Sequence, residues 1–163
     1  MINFTRNHNG ESWTLVALYG PCQGVQRDNF VNWLYNLQIS SMSNWLLVGD
    51  FNFIRSSDNR NRPGGDVNDM FLFNDVIGHL GLVGLPLKGR AYTWSNMQED
   101  PLLEKLDWFF TSANWTSVYP NTLVLPNHLQ TIFPVLSTLA QLFPKPIFLG
   151  LKASGLISLV SWM

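Results

Sequence analysis

Asp50 and Asn52 stand two residues apart at the end of the apolar run Trp45-Leu46-Leu47-Val48-Gly49. In extended backbone, residues i and i+2 face the same side. A strand ending here would present a carboxylate and a carboxamide to one site. The carboxylate can take a proton from an attacking water, and the amide can hold that water or a phosphate oxygen. This pair suits phosphodiester hydrolysis. A strand that merely closes in an Asx turn would carry the same residues, and from this segment alone both readings stand. Asp107 is a second candidate. It lies within the apolar stretch Leu106-Asp107-Trp108-Phe109, where a carboxylate is costly unless paired. Tyr19 ends another apolar run, as a site hydroxyl or as a core aromatic. Trp94 is a substrate contact or a core ring. Arg55, with Arg60 and Arg62, could meet a nucleic-acid backbone or belong to a solvated loop.

The elements that must position these residues can be read from apolar spacing. Trp13 to Leu18 is a buried strand, closed by Tyr19-Gly20-Pro21. Asp28 can cap a helix whose Phe30, Trp33, Leu34 and Leu37 fall at i, i+3, i+4 and i+7. Trp45 to Val48 is the next strand, and the polar stretch from Arg55 to Asp69 a surface loop. Phe73, Val76, Ile77 and Leu80 have helical spacing, with Gly78 and Gly81 weakening and ending that helix. Further strands are expected at Tyr92–Ser95, Leu106–Thr111, Leu123–Leu125 and Phe133–Leu136. Strand, helix, strand, helix and then several strands make an α/β layered domain. Ile147 to Met163 is apolar but shorter than the ~20 residues a spanning helix needs, so a short amphipathic or buried tail helix is expected there.

The chain has 163 residues, 46% hydrophobic and 13% charged, with 7 Trp and 11 Phe. That suits one packed domain and excludes a disordered chain. The formal net charge of −1 gives no electrostatic footprint of a nucleic-acid binder. An enzyme that meets phosphate through a metal ion stays open. A single cysteine, Cys22, precludes an internal disulfide and fits a reducing compartment. The N-terminus has no apolar signal segment, so an intracellular location is expected.

Several stretches, taken in order, resemble the endonuclease/exonuclease/phosphatase superfamily, and most closely the endonuclease domain of plant-type non-LTR (LINE-like) retrotransposons. They are Val16-Ala17-Leu18-Tyr19-Gly20-Pro21, Gly49-Asp50-Phe51-Asn52, and Gly81-Leu82 with Leu85-Pro86-Leu87 and Tyr92-Thr93-Trp94. Leu106-Asp107-Trp108-Phe109-Phe110 with Trp115 and Pro120 follows, and Leu142-Phe143-Pro144-Lys145-Pro146 is similar to the linker after the nuclease. The resemblance implies an α/β fold that is part of a four-layered α/β sandwich, with a partial domain over residues 1–137 and a post-nuclease tail over 138–163. It implies that Asp50 helps activate the attacking water and Asn52 positions water and phosphate. Tyr19 would meet the scissile phosphate, Asp107 would orient a catalytic histidine, and Trp94 would sit near the substrate face. It also implies Mg²⁺ as cofactor, DNA as partner and a nuclear location.

Two departures qualify the resemblance. The family's Ser-Asp-His triplet falls here on Gln130-Thr131-Ile132, and His128 lies four residues before the expected histidine. The early strands that supply an Asn and a Glu to the cation have no counterpart before Tyr19, since Glu11 sits in a polar lead-in. Asp50 is then the one contributor to an incomplete metal site. The expectation is a truncated, inactive relative of a Mg²⁺-dependent DNA endonuclease, with an apolar sheet face left open to self-association. The alternative is a residually active endonuclease or phosphodiesterase, and a small phosphatase ranks below both.

Overall fold

The computed structural model describes residues 1–5, 7, 10–40 and 42–125, together with the backbone of three later strands at 138–140, 148–151 and 157–160. The order is β1 (Ile2–Thr5), β2 (Ser12–Tyr19), α1 (Val25–Tyr35), β3 (Asn44–Asp50), α2 (Val67–His79), β4 (Leu82–Gly84), β5 (Trp94–Ser95), β6 (Leu103–Glu104), β7 (Asp107–Ser112), α3 (Ala113–Val118) and β8 (Leu123–Leu125). Then come β9 (Thr138–Ala140), β10 (Phe148–Leu151) and β11 (Ile157–Val160). The central sheet runs β1-β2-β3-β7-β4. Its β2–β3 pair is parallel, bridged by α1, and the other pairs are antiparallel. The chain is therefore a mixed α/β structure of a sheet with a few helices.

The sheet interior explains why β3 reads as a continuous apolar run. Both of its faces are covered. Trp45 and Leu47 join Val16, Trp108 and Phe110 on the face packed by Val31 and Leu34 of α1 and by Phe73, Val76 and Ile77 of α2. Leu46 and Val48 join Trp13, Leu15 and Phe109 on the other face. Phe73 is the hub of the first core, with ring centroids 5.1 Å from Phe53, 5.5 Å from Phe51 and 6.1 Å from Phe110.

The second face corrects the expectation of an open apolar surface. Trp115 of α3, Val124 of β8 and Leu85 bury it, with Phe4, Leu87 and Tyr119 packed around them. These residues, from α3, β8 and the segment after β4, cover that face among the described residues.

Other boundaries also move. α1 starts at Val25 behind Gly24, whose φ is 72°, and no side chain caps it. Asp28 falls in the first turn instead, where its charge complements the helix N-terminus. The long polar loop ends earlier than expected because Asp66 caps α2, accepting hydrogen bonds from the Asn68 and Asp69 N–H groups. Replacing Asp66 with alanine should cost about 1 kcal/mol, read as a lower urea midpoint; an unchanged midpoint would show that the cap is not used. The expected tail helix is overturned: the described residues of 147–163 are β10 and β11, an antiparallel pair. Gly150 and the β-branched Ile157 and Val160 disfavour helix there. β9, at the start of the segment read as a tail, pairs with β8. The expected strand at Phe133–Leu136, the stretch Gln130–Ile132, His128 and the linker-like Leu142–Pro146 lie outside the described residues.

Candidate active site

β3 and β7 bring the two candidate carboxylates together. Asp50, the last residue of β3, is the antiparallel register partner of Asp107, the first of β7. Residues directly opposite share a sheet face with Cβ atoms roughly 5 Å apart. By alternation that face is the one bearing Leu46, Val48 and Phe109. Both aspartates are buried, Asp107 to 2% exposure. Burial pushes the Asp50 carboxyl up from its ordinary value, against a hydrogen bond from the Asn52 N–H. Burial raises Asp107 to about 7; Thr93 opposes the rise by hydrogen bonding, the Asp50 charge adds to it, and Arg90 opposes it. Thr93 Oγ1 also accepts the N–H groups of Leu106 and Asp107, both at 3.0 Å, fixing the entry to β7.

Asn52 reaches the same place by a different backbone route from the one alternation suggests. The chain leaves β3 at Asp50, and Asn52 adopts φ 55°, a left-handed conformation that asparagine tolerates. The Asp50 Oδ1 atom accepts the Asn52 N–H at 2.8 Å, so an Asx turn forms. The Asn52 carboxamide donates to the Gly20 carbonyl. The turn and the site coexist: the Asx geometry is what carries the amide to the pocket.

That pocket, about 750 Å³, is lined by Tyr19, Cys22, Arg27, Asp50, Asn52, Ile54, Gly65, Asp66, Asp69, Trp94, Glu104 and Leu106. Tyr19, at the end of β2, is 76% exposed and Trp94 is 40% exposed, so both present surface to it. Asp107, the buried cross-strand partner of Asp50, does not itself line the pocket. Arg55 does not line the pocket. Its Nε donates to Asn74 Oδ1 at 2.7 Å and its guanidinium lies against the rings of Trp108 and Phe110, which turns it into the first core. Of the loop arginines, Arg60 pairs with Glu104 at 3.2 Å and Arg62 with Asp100. Sequence reading missed Arg27 and Thr93. Arg27 pairs with Asp69, 42 residues away, a link no local pattern announces. Thr93 sat inside the Tyr92-Thr93-Trp94 stretch but carried no role there.

The pocket holds no ready-made cluster of metal ligands among the described residues. Among the described residues, no group of three or more His, Cys, Asp or Glu side chains converges on a metal position. Mg²⁺ needs near-octahedral oxygen ligation anchored by carboxylates. Of those lining the pocket, Asp69 is held by Arg27, Glu104 by Arg60, and Asp66 by the start of α2.

No protein-family model matches the chain, and no curated protein does. A solved structure of a beta toxin from Staphylococcus aureus is similar, with a TM-score of 0.47 and 14% identity over 73% of this chain. The chain spans 44% of that toxin's length. No helix among the described residues is long and apolar enough to cross a membrane.

Proposed function

We propose that the chain is a relative of the Mg²⁺-dependent DNA endonucleases of the endonuclease/exonuclease/phosphatase superfamily that keeps the acid–amide cradle and does not cut DNA efficiently. Fold resemblance alone grants no function, so the proposal rests on the site. The observation that carries it is the cross-strand pair Asp50–Asp107 with Asn52 folded over it, around a pocket with no convergent metal ligands among the described residues. Hydrolysis of a phosphodiester at neutral pH draws much of its rate from a bound cation that stabilises phosphoryl charge. Here Asp69 and Glu104 are paired with Arg27 and Arg60, while Asp50 and Asp66 line the pocket with no ion pair among the described residues. Uncompensated carboxylates repel a DNA backbone.

One observation favours the second reading, a residually active phosphodiesterase. Asp107, held near 7, can give or take a proton at neutral pH, where an ordinary aspartate cannot. The two readings separate in a nicking assay. The folded chain with supercoiled plasmid and Mg²⁺ should give no nicking above that of its Asp50→Ala variant. Nicking that disappears in that variant and with a chelator would overturn the proposal in favour of the second reading.

A further inference from the structure

Four chain segments meet at one guanidinium on the wall of this pocket. Arg27 rises from α1. Its Nη1 donates to the Asn52 carbonyl at 2.8 Å and to the Cys22 carbonyl at 3.3 Å. Its Nη2 donates to Asp69 Oδ2 of α2 at 2.8 Å. Its guanidinium carbon lies 3.7 Å from the Phe53 ring centroid, in cation–π contact. The planar fork fixes these directions relative to one another, which a lysine ammonium does not do. Arg27 thus ties the turn after β2, the turn after β3 and the start of α2 to one rigid group.

Its most consequential partner is Asn52. A left-handed backbone at a non-glycine residue persists where surrounding contacts hold it. At Asn52 these contacts form a closed set. The N–H goes to Asp50 Oδ1, the carboxamide to the Gly20 carbonyl, and the carbonyl accepts from Arg27. The first two are short-range to the Asx turn or to the adjacent β2 end. Only the third ties the conformation to the helices. The Asp69 ion pair, with side chains 20% and 36% exposed, keeps the guanidinium pointing at the Asn52 carbonyl.

We propose that Arg27 is the positioning residue of this pocket, holding Asn52 left-handed so that its carboxamide stays beside Asp50. The proposal deepens the functional reading above and rests on it for the identity of the ligand, a phosphate group. Arg27 itself touches no reacting atom and acts through Asn52.

Amide hydrogen exchange followed by NMR tests it, with inorganic phosphate as probe. In Arg27→Lys, which keeps the charge and loses the fork, exchange of the Asn52 N–H should quicken by about tenfold or more, the scale of one charge-assisted hydrogen bond. The N–H groups of Leu46 and Leu47 in the sheet interior should keep their protection, which a general loss of stability would not allow. Asp69→Asn releases the guanidinium's anchor at a partly exposed position and should shift Asn52 in the same direction, by less. It carries the test alone if Arg27→Lys does not fold. Unchanged Asn52 exchange in the folded variants overturns the positioning role. Phosphate should move the Asn52 side-chain amide resonance in the parent chain, and move it less in both variants. A parent chain whose Asn52 amide ignores phosphate while the exchange pattern holds overturns the functional reading and upholds the positioning role.

Discussion

Asp107→Asn should stabilise the chain at pH 8 by roughly 2–4 kcal/mol and leave its stability at pH 4 nearly unchanged. The sign follows from the raised carboxyl. Asp107 titrates at about 7 in the folded chain and near 3.9 when unfolded. Between those values the folded chain holds a proton that the unfolded chain has released. Stability must therefore fall as pH rises from about 4 to about 7, and it levels off above. The cause is burial first, at 2% exposure, with the Asp50 charge adding to it. Asparagine removes the ionisation while keeping an acceptor for the Thr93 hydroxyl. Urea unfolding of parent and variant from pH 4 to 8.5 checks this: the parent curve should slope downward and the variant curve should flatten over that range. A parent at least as stable at pH 8 as at pH 4 would sink the account. An enzyme that needed both aspartates ionised would be poorly served by this pair near neutrality.

The site was more legible in the sequence than the elements around it. Asp50, Asn52, Tyr19 and Trp94 line one pocket, and Asp107 lies directly against Asp50. They were visible because each breaks its local pattern. Asp107 interrupts an apolar run, and Asp50 and Asn52 end one. Arg55 sits in a polar loop that reads as solvated, whereas its guanidinium turns onto Trp108, Phe110 and Asn74. Arg27 and Thr93 were invisible for another reason. Their value lies in distant partners, and a sequence window sees only neighbours. The same limit hid β1 and β4, four and three residues long, whose pairing with β2 and β7 decides their strand form rather than any propensity of their own. The closed second face escaped for a related reason. Composition announced apolar material enough for a core, but not that Trp115, Val124 and Leu85 would cover the sheet.

Gly49→Ala should cost roughly 3–5 kcal/mol, enough to consume a large part of a typical domain's stability. Gly49 lies in β3, directly before Asp50, with φ 143°, a value L side chains rarely adopt. It is the register partner of Leu18 on β2, and a Cβ at this position would be driven into the Leu18 backbone carbonyl. That neighbour is backbone of a paired strand and cannot swing aside as a flexible side chain would. Backbone strain of about 1–3 kcal/mol then adds to an overpacking term of similar size. The parallel strands must separate or β3 must rotate, and either movement carries Asp50 away from Asp107. The matched control is Gly78→Ala. Gly78 lies in α2, and a Cβ there meets nothing within 4 Å. Alanine should stabilise that helix by about 0.5–1 kcal/mol. Opposite shifts of the two urea midpoints are the expected result, and a Gly49→Ala chain as stable as its parent would mean that β2 and β3 do not approach as closely as described. Because the glycine precedes the carboxylate by one residue, the same substitution tests whether the site depends on strand spacing. The Asp107 carboxyl should drop back toward its ordinary value in any folded fraction, since both its burial and its like-charged neighbour are lost together.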